Sequence, residues 1–123
     1  MPVGKAGQWY SDAQEAVEAE LASATKTATG TSPVWNVEDA DSLLAKLVVS
    51  AASGTLPTLD VTLETTVDGT NFYTVGTFAQ KTAAGSEGKA FSPLGTQARW
   101  QYAISGTLPS LTFEIDATER HDR

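Results

Sequence analysis

The sequence contains no cysteine and only one histidine, His121, in 123 residues. The first absence removes thiolate nucleophiles, cysteine zinc sites and disulfide frameworks together, and it fits assembly in a reducing cytosol. The second leaves no Ser-His-Asp set in the body of the chain. His121 stands in a charged C-terminal run beside Asp122, where the converging partners of a metal or catalytic histidine are missing. It reads as a solvated residue. No apolar run approaches the roughly 20 residues of a membrane helix. The first 20 residues carry one lysine and no apolar stretch, so no secretory signal is expected. Basic residues are few and scattered, 8 against 15 acidic ones, for a net charge of −7. A binder that tracks a phosphate backbone needs clustered Lys and Arg, so neither nucleic acid nor a membrane is an expected partner. The glycines stand singly at turn positions, and no phosphate-cradling loop is present.

The most informative feature that is present is a repeat. Ser53–Glu64 reads SGTLPTLDVTLE and Ser105–Asp116 reads SGTLPSLTFEID, 52 residues further on. Each copy follows a β-patterned run and opens another, as expected of a β-sandwich with internal pseudo-symmetry. The two SGTLP segments are therefore expected as loops at the same end of the sandwich. Gly54 and Gly106 should take positive φ, and Pro57 and Pro109 should begin the following strands. A repeated unit argues for a structural or binding role, because catalytic residues have no reason to recur in both copies.

One core accounts for a chain of this length, which can bury roughly 65% of its unfolded surface without a staple. Three regions are distinguished: an N-terminal arm at 1–18, a sandwich at 19–118 and a solvated tail at 119–123. Ser11 and Gln14 could form a capping box, so residues 11–22 are either a short alanine-faced helix or an extended arm.

From Leu21 onward threonine recurs, glycine and proline punctuate, and alternating runs return at regular spacing. The strands expected are LASATKTAT, SPVWNVE, SLLAKLVVSA, TLDVTLETT, FYTVGTFA, KAFSPL, QARWQYAIS and SLTFEID. Leu43, Ala45, Leu47 and Val49 share one face, with Leu44 and Val48 on a second, partly covered one. Leu59, Val61 and Leu63 point inward, and Asp60, Thr62 and Glu64 outward. Asp68-Gly69 marks a turn and KTAAGSEGK an exposed loop. About eight strands are too many for one open sheet of this length. The expected fold is all-β, an antiparallel two-sheet β-sandwich of jelly-roll type.

Candidate sites are few. Glu38, Asp39 and Asp41 cluster in EDAD, which lacks the glycine and spacing of a calcium loop. This is a strand connection or, at most, a weak cation site. Asp60, Glu64, Glu114 and Asp116 alternate with core residues and read as outward strand positions, not as a glycosidic pair. Trp35, Trp100, Tyr102, Phe78, Phe91 and Phe113 are expected in the core. Trp9 and Tyr10 are large rings in a polar arm, so they either pack back on the sandwich or anchor the arm on a partner. They are the candidate partner-binding residues. No catalytic, cofactor or metal site is expected, and the protein is expected not to be an enzyme.

Two resemblances add to this reading. ETTVDGTNFYTVGTF, ARWQYAISG and SLTFEIDAT resemble the Asp-Gly hairpin, the Arg-aromatic strand and the last strand of discoidin-like (galactose-binding-like) sandwiches. Val67 and Phe72 stand where that pattern has serine and tryptophan. That likeness implies the fold and carries over no ligand residue. Over about residues 20–118, SATKTATGTSPVW, LLAKLVVSAASGTLPTLDVTLETTVDGTNFYTV and GTQARWQYAISGTLPSLTFEI resemble small β-sandwich virion proteins of tailed bacteriophages. The second resemblance implies a capsid decoration (cement) protein on the outer head surface, multi-copy or homo-oligomeric, partnered by the major capsid protein or other virion subunits. A head–tail or tail component and a glycan-binding module are the alternatives. A small, cysteine-free, acidic β-protein suits the first of these, since its charge keeps it off packaged DNA.

Overall fold

The computed structural model describes residues 20–37 and 40–120. Among the described residues seven strands are present: β1 (Leu21–Lys26), β2 (Gly30–Thr31), β3 (Trp35–Asn36), β4 (Ser42–Thr66), β5 (Phe72–Thr77), β6 (Gly85–Phe91) and β7 (Gln97–Arg120). All pairings are antiparallel.

The two long strands organise everything else. β4 and β7 pair from Ser42↔Arg120 through to Thr66↔Gln97. Each is two expected strands joined through its SGTLP segment, so these segments are not end loops. They are the places where a continuous strand turns a corner and passes from one layer to the other, which bulges permit. The outer strands follow the same course. β1 lies along the C-terminal half of β7, and β2 and β3 along its N-terminal half. β6 borders the N-terminal half of β4 and β5 its C-terminal half.

The result is two four-stranded layers from one bent ladder. The first layer runs β1, late β7, early β4, β6. The second runs β2–β3, early β7, late β4, β5. Taking β2 with β3 and halving β4 and β7 gives eight strand segments in jelly-roll order, so the all-β sandwich expected from the sequence is the fold observed.

Side chains from both layers meet in the core. Phe91, opposite Leu43 in the first layer, lies 5.5 Å edge-on to Trp100, opposite Leu63 in the second. Phe78 lies 5.3 Å from Phe91 and stacks 6.0 Å from Trp100, and Trp35 covers Trp100 at 6.1 Å. Leu43, Leu47, Val49, Leu59, Val61, Leu63, Leu111, Phe113 and Ile115 complete the buried set.

Two expectations are corrected, and one is met in part. Gly85–Lys89, read as part of an exposed loop, belongs to β6 and pairs with Val49 through Ala45. An edge strand needs backbone partners rather than an apolar pattern, so composition concealed it. On the second face of early β4, Leu44 is half exposed and Val48 half buried, as a partly covered face requires. The chain is still paired at Glu119↔Leu43 and Arg120↔Ser42, and Asp41 N–H donates to the Arg120 carbonyl at 2.8 Å. The solvated tail therefore does not begin at 119. Of the window 11–22, Leu21 and Ala22 open β1, and residues before 20 lie outside the described part.

Candidate functional site

The corner where β4 and β7 cross between layers has a local two-fold axis. Thr55 pairs with Thr107, its own counterpart in the repeat. On one side Gly54 faces Leu108 and Pro109, and on the other Gly106 faces Leu56 and Pro57. The backbone repeats as well: φ is 107° at Gly54 and 123° at Gly106, and 52° at Leu56 and 49° at Leu108. Positive φ at both glycines agrees with expectation. Only glycine fits there, since a Cβ on Gly54 would stand 2.6 Å from the Leu108 carbonyl oxygen and one on Gly106 2.8 Å from that of Leu56.

The leucines are the unexpected part. A left-handed conformation costs a non-glycine residue about 1–2 kcal/mol, and a proline after it restricts it further. Burial offsets none of this, because Leu56 is 82% and Leu108 87% exposed. The axis of an antiparallel pair is perpendicular to the ladder, so both leucines lie on one face, the outer one. Around them stand exposed Ser50, Ala51, Ser53, Ala103, Ser105 and Thr107. Neither Leu47–Leu59 nor Trp100–Phe113 contains a charged residue, in a chain of net charge −7. Thr58 and Ser105 close one flank with a 2.6 Å hydroxyl–hydroxyl bond.

Elsewhere on the surface four acidic groups are engaged by neighbours. The Arg99 guanidinium donates to Glu64 at 2.8 Å and lies 4.0 Å over the Phe72 ring. Gln80 donates to Asp60 at 3.0 Å. Glu87 accepts from Lys81 Nζ at 2.6 Å and from the Ala79 N–H at 3.0 Å, and these donors hold its carboxyl below the usual range against the effect of partial burial. Asp68 organises the β4–β5 turn: its carboxylate accepts from the N–H groups of Asn71 and Thr70, the Asn71 amide and the Thr66 hydroxyl. These donors keep it well below the ordinary carboxylate range.

Glu114 and Asp116 border a shallow hollow with Glu20 and Ser23 on the outer face of the first layer. Among the described residues no group of three or more metal-ligating side chains comes together. Asp41 immediately precedes β4, while Glu38, Asp39 and His121 lie outside the described residues. So do Trp9 and Tyr10, the partner-binding residues singled out in the sequence. The core aromatics named there are all buried. Leu56 and Leu108 escaped notice because a leucine between Thr and Pro in a turn-like run reads as a strand start. The available signal was that both break the inward alternation that resumes at Leu59 and Leu111.

No family model matches the chain, and no curated protein matches it. Among solved structures, it is similar to the CBM22-1–GH10 modules of Clostridium thermocellum endo-1,4-β-D-xylanase 10B, determined with xylohexaose. The TM-score is 0.49 at 9% identity, over 73% of this chain and 19% of that one. This chain thus spans less than a fifth of that protein's length.

Proposed function

We propose that this chain is a non-enzymatic structural protein of a virion, a decoration protein on the outer surface of a tailed-bacteriophage head. The observation that supports the non-enzymatic part is the engagement of four of the surface acids. Glu64, Asp60, Glu87 and Asp68 are each engaged by a neighbouring side chain or their own turn. The virion placement rests on the resemblance of about residues 20–118. Trp9 and Tyr10 are the anchors in this reading.

The test is retention of the full chain on heads purified from its own virus, with and without the double change Trp9→Ala, Tyr10→Ala. Loss of retention by at least about thirtyfold is expected for two aromatic anchors. No binding of the unaltered chain to heads would overturn the reading. Labelled chain seen at the portal vertex or on the tail would support the head–tail alternative.

A glycan-binding role is the second reading, favoured by Tyr73, a half-exposed ring on β5. Aromatic faces are the usual platform for sugars. Titration with xylan- and galactose-type oligosaccharides should then give saturable binding that Tyr73→Ala removes.

A further inference from the structure

We infer that the face carrying Leu56 and Leu108 joins two copies of this chain. The inference does not depend on the head-attachment reading, and the protein by itself tests it.

Three observations converge. First, two leucines are held in a backbone conformation that suits glycine or asparagine, and they project into solvent. A strained residue without a role inside the fold points to a role outside it. Second, the occupant must tolerate the charge of the chain. Two molecules of net charge −7 repel, and carboxylates buried between them would have no partner. The corner spans two uncharged stretches, Leu47–Leu59 and Trp100–Phe113, so copies can meet there without pressing like charges together. Depletion of charge at the centre is also what distinguishes interface cores.

Third, the symmetry fits. In a two-fold dimer the same patch serves both partners, so residue i meets j and j meets i. Here Leu56 and Leu108 are already equivalent through the Thr55–Thr107 pair. A second copy turned face to face meets a leucine between small Ser, Thr and Ala residues whichever leucine it approaches. The four leucines then form one apolar cluster. A glycan finds no exposed aromatic ring on this face among the described residues.

The experiment is sedimentation velocity with light scattering on the full chain, from about 1 μM to about 1 mM. The variants are Leu56→Asn, Leu108→Asn and the double change. Asparagine tolerates the left-handed conformation, so at concentrations where the parent is monomeric these proteins should fold with thermal midpoints equal to or above that of the parent. The parent should show a monomer–dimer equilibrium that tightens as added salt screens the repulsion. Each single change should weaken dimerisation at least about tenfold, by similar factors, and the double change by more than about a hundredfold. A parent that stays monomeric at the highest concentration and high salt overturns the inference. So does a dimer that survives the double change. If the leucine variants lose retention on heads while the parent is monomeric, the face belongs to a different protein and the inference fails.

Discussion

Tyr102 and Phe113 stand on the same strand, β7, and their rings meet edge to face at 5.6 Å. Eleven residues separate them, which in a straight strand would be roughly 36 Å. β7 therefore folds back on itself about Ser105–Pro109, as β4 does about Ser53–Pro57. The core consists largely of what these two bent strands bring together.

The corner is thus a structural requirement, and its glycines should be the least replaceable positions in the chain. Gly54→Ala and Gly106→Ala each place a Cβ within 3 Å of opposing backbone at a φ that alanine disfavours. Each should destabilise by about 3 kcal/mol, read as a lower midpoint in urea unfolding. Changes within about 0.5 kcal/mol would mean that the corner relaxes freely.

Much of this fold was legible because alternation reports burial directly. Leu59, Val61 and Leu63, and likewise Leu111, Phe113 and Ile115, are inside as their spacing demands. The relation of the two repeats was not legible. The pairing of Thr55 with Thr107 is a tertiary fact, and Gly and Pro signal a chain reversal as readily as a bulged corner. Ser50 shows the same limit: it is an extra residue in β4 between the Val49 and Ala51 pairings, and nothing in VVSAAS announces it. β6 was hidden because Gly85, Ser86 and Gly88 carry no strand pattern, yet their backbone borders β4. At the candidate site, the spacing of Gly and Pro announces the positive φ of Gly54 and Gly106, whereas the exposure of Leu56 and Leu108 is decided by what faces them.

A second prediction concerns the inner end of the β4–β5 turn. Thr65 is fully buried, donates to the Gln97 carbonyl at 2.7 Å and accepts from the Gly95 N–H at 2.8 Å. Thr65→Val keeps the shape and removes both bonds. The orphaned N–H and carbonyl should cost about 1–3 kcal/mol. Hydrogen exchange should show the Gly95 amide losing protection beyond the global change. Unaltered exchange would mean that the amide has another partner.

Trp100 is the hub of the aromatic cluster, touching Trp35, Phe78 and Phe91. Trp100→Ala should cost about 3–5 kcal/mol, a large share of the 5–15 kcal/mol that holds a typical domain. Near-ultraviolet circular dichroism should weaken even where the variant remains folded, because Trp35, Phe78 and Phe91 lose their common neighbour. A full-strength spectrum with an unchanged thermal midpoint would contradict this role.

The last prediction is a pH dependence. In the folded protein the carboxyls of Asp68 and Glu87 both lie below their ordinary values, the first through the turn N–H groups and the second through Lys81. A carboxyl with a depressed folded pKa stabilises while ionised. Its contribution is complete above the unfolded value, about 4, and is lost as pH falls through the folded value. With respect to these groups, stability should be level from about pH 5 to 8 and decline below about pH 4. Asp68→Ala should start from a lower midpoint at neutral pH, because four turn donors lose their acceptor, and it should then decline less steeply in acid. Glu87→Gln should also flatten the decline, and less so, since its carboxyl receives fewer donors. Thermal midpoints measured from pH 7 down to pH 2 decide the matter. Curves that run parallel to the parent's for both variants would place the acid sensitivity elsewhere on the surface.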